Sequence, residues 1–320
     1  MTKISNIFSL LAMAATMSVA FASCNSSEKL EMNNQGALKQ LQPVTRAVGT
    51  KTPKLTVYIE TNDVNPLNAK EYYFCNTNPR EEVIDHVILF ASNINGTASS
   101  ATLYHNQNQT YILNHVSTLI QPLQQKGIKV LLGVLGNWTG VGFANLTPAM
   151  RESFAQQIAT CVNTYGLDGV DFDDEYADYR NAPAGLPSPS GANYGLLVQR
   201  VKQLLPTKLV TAFKYGYADL FDQTTLDTID YMWSDFPCYD EPYGFDPEKW
   251  AKLAIHIENS GSSNPDCSTI QRLATGYDYG AIMMFNLRDW NASSIMNCFA
   301  SRVWNGRTVC WTGVTHYKNY

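Results

Sequence analysis

The chain has 320 residues, 28 of them acidic and 23 basic, for a net charge of −5. That balance argues against nucleic acid as a partner and supplies no basic patch for an anionic membrane surface. With 45% hydrophobic and 16% charged residues a large core can form, and the ~270 residues left after an N-terminal leader and linker suit one α/β barrel better than two domains.

The first residues are Met1, Thr2 and Lys3, followed by an apolar run from Ile7 to Ala22 and the small residues Ala22-Ser23 before Cys24. A charged start, a short apolar region and a small-residue cleavage point mark residues 1–23 as a secretion signal, not a membrane span. Cys24 in that position resembles the lipobox cysteine of bacterial lipoproteins, which is lipidated and becomes the new N-terminus. Phe21 stands where the lipobox usually has Leu. The competing reading is an ordinary cleaved signal that leaves Cys24 a free thiol. Residues 24–51 are polar and aperiodic, as expected of a flexible tether. The expected arrangement is therefore a single domain over 52–320, acting as a monomer, anchored by lipid at the periplasmic face or the cell surface of a bacterium.

Within the domain, Lys54–Glu60 alternates and is β-rich. His86–Ser92 and Ile128–Leu135 are continuous apolar runs, the pattern of strands covered on both faces in a parallel sheet. The Asn/Gln-rich stretch from Tyr104 to Leu113 reads as a loop or hairpin, and Val116–Lys126 as a short helix. Thr147-Pro148 predicts a capped helix start, with Met150, Phe154, Ile158, Cys161 or Val162, and Tyr165 at helical spacing and Gly166 closing it. The stretch Leu167–Tyr176 is the next strand, and the Pro/Gly/Ser-rich residues 181–190 after it form a loop. Tyr194, Leu197, Val201 and Leu204 mark a helix stopped by Pro206. Further strands are expected at Lys208–Tyr215, Thr228–Trp233, Leu253–Ile257 and Gly280–Asn286. Eight strands alternating with helices, some of them irregular or missing, predict a closed (β/α)8 TIM barrel with its active site at the C-terminal strand ends.

The fourth strand is the chemically informative one. Alternation puts Asp171, Asp173 and Glu175 on one face, roughly 6.5–7 Å apart in succession, and Val170, Phe172 and Asp174 on the other. Ionised carboxylates in one partly buried column repel, so at least one keeps its proton near neutral pH and can serve as a general acid. Two other readings exist: a solvated strand end, or a site for Mg²⁺ or Ca²⁺, which favour oxygen ligands. Apart from Cys24, six cysteines remain, at 75, 161, 238, 267, 298 and 310. An exported chain can pair them, but the sequence does not choose the pairing, and no Cys/His spacing suggests zinc. Cys161 falls on the apolar face of its helix and reads as a buried thiol.

Asp168-Gly169-x-Asp171-x-Asp173-x-Glu175 resembles the DGxDxDxE signature of family 18 glycoside hydrolases. Val134–Asn137, Gly142–Asn145, Tyr165–Tyr176, Asp230-Tyr231-x-Trp233, Tyr279-Gly280 and Phe285–Leu287 are similar to the bacterial endo-β-N-acetylglucosaminidases of that family, the Endo H and Endo F type. The resemblance implies hydrolysis of the β-1,4 bond between the two N-acetylglucosamines at the core of N-linked glycans, without a cofactor. It implies that Glu175 protonates the leaving oxygen and later activates water. The substrate's own acetamido oxygen is the implied nucleophile, with retention. Asp173 is implied to orient the acetamide, and Asp171 to share a proton with Asp173. Aromatic residues near strand ends are natural surfaces for sugar rings. Trp138, Tyr215, Trp233, Tyr239 and Phe285 are the candidates, with Tyr58 beside them and Asn137 and Asn286 in the matched segments.

One position departs from the family. A tyrosine is expected near the end of strand six, its hydroxyl holding the acetamido oxygen, but the segment here is Met232-Trp233-Ser234-Asp235-Phe236. Tyr239 is the candidate replacement. The gap keeps two alternatives open: a surface lipoprotein that grips glycans without cleaving them, and a chitinase. The short interval from Trp250 to Asp278 leaves little room for the inserted domain many chitinases carry.

Overall fold

The computed structural model describes residues 51–258 and 264–320. In the N-terminal unit, Met1–Ala47, it describes one antiparallel ladder, Leu30–Met32 against Leu38–Gln40. The leader and Cys24 lie outside the described residues, and that ladder falls within the segment read as a tether.

The second unit, Val48–Tyr320, is built on eight parallel strands. These are β1 (Lys54–Glu60), β2 (His86–Gly96), β3 (Lys129–Leu135), β4 (Gly169–Asp173), β5 (Leu209–Phe213), β6 (Tyr231–Trp233), β7 (Trp250–His256) and β8 (Ala281–Phe285). Each pairs with the next in sequence, and β8 and β2 both pair with β1, so the sheet closes into the expected barrel. A ninth strand, Ala101–Tyr104, extends β2 as an antiparallel hairpin.

Side-chain alternation divides the core in two. Val57, Ile59, Val87, Leu89, Val130, Leu132, Val170, Phe172, Val210 and Met232 face outward into the large layer beneath the helices. Ile88, Leu131, Phe213, Trp233, Ala254 and Met283 fill the barrel interior. On β4 the outward pair is Val170 and Phe172, so its inward pair is Asp171 and Asp173: acids occupy the axis of the barrel.

The long crossover helices begin where sequence chemistry places them. Thr147 caps α2 (Pro148–Thr164) by accepting from Met150 N–H, and Ser190 caps α3 (Gly191–Leu204) by accepting from Asn193 N–H. Cys161 is buried on α2. The segment expected as a loop after Tyr104 is instead a helix, α1 (Gln107–Asn114), capped by Asn106. Its buried face includes Gln109, whose amide bonds Thr61 Oγ1 and Leu89 O. A polar residue in a core position hides the helical period from a hydrophobicity reading. The helix expected over Val116–Lys126 is two single turns, Val116–Leu119 and Gln121–Gln124, broken before Pro122. Helices α4 (Gln223–Thr228), α5 (Cys267–Leu273) and α6 (Ser293–Val303) complete the set, and between β6 and β7 only a 3₁₀ turn, Pro247–Lys249, is formed.

Two disulfides join distant parts: Cys75 with Cys310, and Cys267 on α5 with Cys298 on α6. The first holds the two-stranded pairing of Tyr72–Phe74 with Val309–Trp311, tying the region after β1 to the C-terminal segment.

Candidate active site

At the C-terminal ends of the strands a cavity of about 420 Å³ opens into the barrel. Its wall is largely aromatic, from Tyr58, Phe90, Tyr176, Phe213, Phe236 and Phe285, and carries the carboxyl groups of Glu60, Asp173, Glu175 and Asp235 together with His256.

Asp171 lies at the bottom, fully buried. Its Oδ2 accepts from Tyr58 Oη at 2.7 Å, and its Oδ1 from Thr211 Oγ1 at 2.5 Å and Trp233 Nε1 at 2.8 Å. Burial pushes its carboxyl up to about 6, against the pull of the three donors. Burial beside Asp171 also raises the Tyr58 hydroxyl well above its ordinary range, so it remains a donor. One step up β4, Asp173 is 4% exposed and accepts the backbone N–H of Glu175, at 3.1 Å. Burial, then the charges of Glu175 and Asp171, hold it protonated well above the ordinary carboxylate range. Glu175 follows the strand end, half-buried, and is raised by burial and by Asp235.

The backbone around Glu175 is held by the neighbouring loop. Gly136 N–H donates to Glu175 O at 3.0 Å, Trp138 N–H to Tyr176 O at 2.7 Å and Gly140 N–H to Ala177 O at 3.0 Å. A Cβ at Gly136 would fall 2.3 Å from Glu175 O, so only glycine allows this approach. Asp174, on the outward face, accepts from Tyr179 Oη at 2.5 Å and Tyr217 N–H at 3.0 Å. Burial raises it to about 7, and it anchors the β4 and β5 loops to each other. The motif thus divides its last four carboxyl groups by strand parity: Asp171, Asp173 and Glu175 toward the axis, Asp174 into the scaffold.

The structure sorts the other sequence candidates. Phe285 lines the cavity, edge-on to Tyr58 and Phe90. Trp138 is 66% exposed at the rim, its ring tilted against Tyr176 at 5.3 Å. Tyr215 is exposed and stacked on Phe213, near enough to Glu175 for that charge to raise its hydroxyl. Asn137 lies beside the cavity, bonded to Asn95. Two candidates need correction. Trp233 is fully buried inside the barrel and offers no face to a sugar; β6 parity turns it inward with Tyr231, and its indole serves Asp171. Asn286 is also fully buried, and both ends of its amide are engaged with Glu60.

Phe236 occupies the cavity wall near the end of β6, and Ser234 Oγ donates to Asp235 O and accepts from Tyr239 N–H. The Tyr239 ring is 54% exposed and is not part of the cavity wall. Glu60, Asp235, Tyr176 and His256 were not singled out from sequence. Each stands just after or at a strand end, the one signal that could have found them. Among the described residues, no group of three or more His, Cys, Asp or Glu side chains is arranged to hold a metal ion.

Buried carboxyl groups with raised proton affinity at the mouth of a TIM barrel, within an aromatic cavity, fit the active site of a glycoside hydrolase. The description "Glycosyl hydrolases family 18" matches residues 54–236, and the chain belongs to that family. It is 36% identical over 256 residues to an endo-beta-N-acetylglucosaminidase of Flavobacterium sp. (strain SK1022), covering 77% of this chain and 79% of that protein. It is 35% identical over 206 residues to endo-beta-N-acetylglucosaminidase F1 of Elizabethkingia meningoseptica, covering 63% of this chain and 60% of that one. EndoBT-3987 of Bacteroides thetaiotamicron, solved with Man5GlcNAc product, superimposes with a TM-score of 0.74 at 29% identity over 85% of this chain and 65% of its own. Its complex with Man9GlcNAc2Asn substrate gives 0.73 at 28% identity, over 85% of this chain and 70% of its own. The chain thus spans less than two thirds of endo-beta-N-acetylglucosaminidase F1 and of EndoBT-3987 in the product structure.

Proposed function

We propose that the protein is an endo-β-N-acetylglucosaminidase that cleaves the β-1,4 bond between the two core N-acetylglucosamines of N-linked glycans. The observation that carries this reading is the Asp173–Glu175 pair in the cavity, with Asp171 fixed beneath it. The names and ligands of the relatives support the choice of N-glycans over chitin.

Asp173 and Glu175 are coupled, and one proton suits both. In the resting site Asp173 holds it, because burial there is deeper. An acetamide N–H aimed at Asp173 needs an acceptor, and so favours moving the proton to Glu175. Substrate binding thereby arms Glu175 as the acid. Glu175 protonates the leaving oxygen as the acetamido carbonyl oxygen attacks C1 and the C1–O bond breaks. Ionised Asp173 then faces the N–H of the oxazolinium ion. Water, deprotonated by Glu175, attacks C1 and reopens that ring with overall retention. Asp171 supports this from below Asp173, its carboxyl held in place by Tyr58, Thr211 and Trp233. The family resemblance has Asp171 share a proton with Asp173, and the single donor on Asp171 Oδ2 among the described residues, Tyr58, leaves that oxygen a lone pair.

Release of glycan from a high-mannose glycoprotein, read by mass spectrometry, tests the reading. The expected result is cleavage leaving one N-acetylglucosamine on asparagine, lost with Glu175→Gln. The phenylalanine at position 236 favours a second reading, binding without cleavage. It becomes the conclusion if wild type retains glycan but releases nothing. We further propose an exported, lipid-anchored monomer; the leader sequence and the two disulfides support export.

A further inference from the structure

We propose that Glu60 is a specificity-determining residue: its outer carboxylate oxygen accepts a hydrogen bond from a free hydroxyl on the C4–C6 edge of the N-acetylglucosamine being cleaved. The inference rests on the function proposed above. Glu60 ends β1, three strands round the eight-stranded ring from β4, so it faces Asp173 and Glu175 from across the mouth. Its backbone N–H donates to Asn286 Oδ1 at 3.1 Å, while Asn286 Nδ2 donates to its Oε2 at 2.5 Å. A single buried amide therefore fixes both the main chain and the carboxylate. Arg288 stands 3.7 Å from the same Oε2 and spreads its charge over Asp63 and Glu258 as well. Every one of these contacts to the carboxylate is on Oε2. Among the described residues no hydrogen-bond donor reaches Oε1, which belongs to a side chain on the cavity wall.

A pre-oriented acceptor of this kind suits a neutral donor such as a sugar hydroxyl. With the acetamido group on C2 held at Asp173, the ring atom farthest from C2 is C5, which carries the C6 hydroxymethyl group. That edge meets the opposite wall, where Glu60 stands. In an N-glycan O4 of this residue carries mannose, which leaves the 6-hydroxyl as the donor.

The test compares wild type with Glu60→Gln on a synthetic ManGlcNAc2-Asn core and on its counterpart deoxygenated at C6 of the cleaved residue. Gln keeps the bond to Asn286 and turns its other end from acceptor to donor. The expected result is a loss of about tenfold or more in kcat/KM, chiefly through KM, for Glu60→Gln on the normal core, the scale of one charge-assisted hydrogen bond. Wild type loses a similar factor on the 6-deoxy core, and the two losses do not add. Equal activity of wild type on both cores overturns the proposal, whatever the variant does. So does a Glu60→Gln loss of the same size on both. If Gln unfolds the chain, the wild-type comparison decides alone, with Glu60→Asp expected to keep part of the discrimination. Failure of wild type to cleave either core rejects the hydrolase reading itself, a result distinct from cleavage of both at equal rate.

Discussion

Replacing Tyr58 with Phe removes one hydroxyl from the floor of the site and almost no volume. The ring stays packed against Phe90 and Phe285, so the change isolates the 2.7 Å bond to Asp171. A hydrogen bond to an ionised carboxylate is worth about 1.5–3 kcal/mol, and one to its neutral form about 0.5–1.5 kcal/mol. Tyr58→Phe should therefore destabilise the protein about 1–1.5 kcal/mol more when Asp171 is charged than when it is protonated. At about 1.4 kcal/mol per pKa unit, this raises the Asp171 carboxyl from about 6 by about one unit. The sign follows from linkage. The folded carboxyl already lies above its unfolded value, so the wild-type contribution of Asp171 to stability is greatest in acid and declines as pH rises through 6. The variant lengthens that decline to about pH 7. Urea unfolding of both proteins at pH 4.5 and pH 8 measures it: the stability difference should be larger at pH 8. A difference independent of pH would refute the account of Asp171 as a titrating acid held by three donors.

Reduction of the Cys267–Cys298 disulfide, or Cys267→Ser with Cys298→Ser, opens a loop of sequence separation 31. The chain-entropy argument puts the loss at about 4 kcal/mol, seen as a fall in Tm on the order of 10 °C; an unchanged Tm refutes it. Phe236→Tyr places a hydroxyl on the cavity wall near the end of strand six. It is expected to raise kcat by about 100-fold, the scale of one transition-state donor, and a fall in kcat would show that the wall already works without it. Cys24→Ser should abolish incorporation of labelled fatty acid and release the protein from membranes into the soluble fraction; membrane association that survives the change argues against the anchor.

The acidic strand, the barrel and the principal helices were legible because each rests on local rules. Period-two alternation separates Asp171 and Asp173 from Val170 and Phe172 without reference to the rest of the chain. Thr147 and Ser190 lie one residue before the helices they cap. Trp233 was misjudged although the same alternation applies to it. A strand-end position suggested an exposed ring, while parity with Tyr231 and the demand of buried Asp171 for donors turn the indole inward. Helix α1 was missed because Gln109 fills a core position by hydrogen bonding, a contribution no hydrophobic pattern records.

The order of residues by itself determined the eight strands, the chemistry of the β4 column and the family resemblance, since these depend on neighbours within a few positions. Tertiary structure alone decided which cysteines pair and which groups face Glu175 and Asp173 across the mouth. Glu60, Asp235, His256 and Asn286 come from the ends of β1, β6, β7 and β8, separated by up to 226 positions for Glu60 and Asn286. Closing the barrel brings Glu60, Asp235 and His256 onto one cavity wall, with Asn286 buried behind Glu60. The protonation of Asp173 is decided there too, because it depends on burial and on charges that only the folded chain gathers.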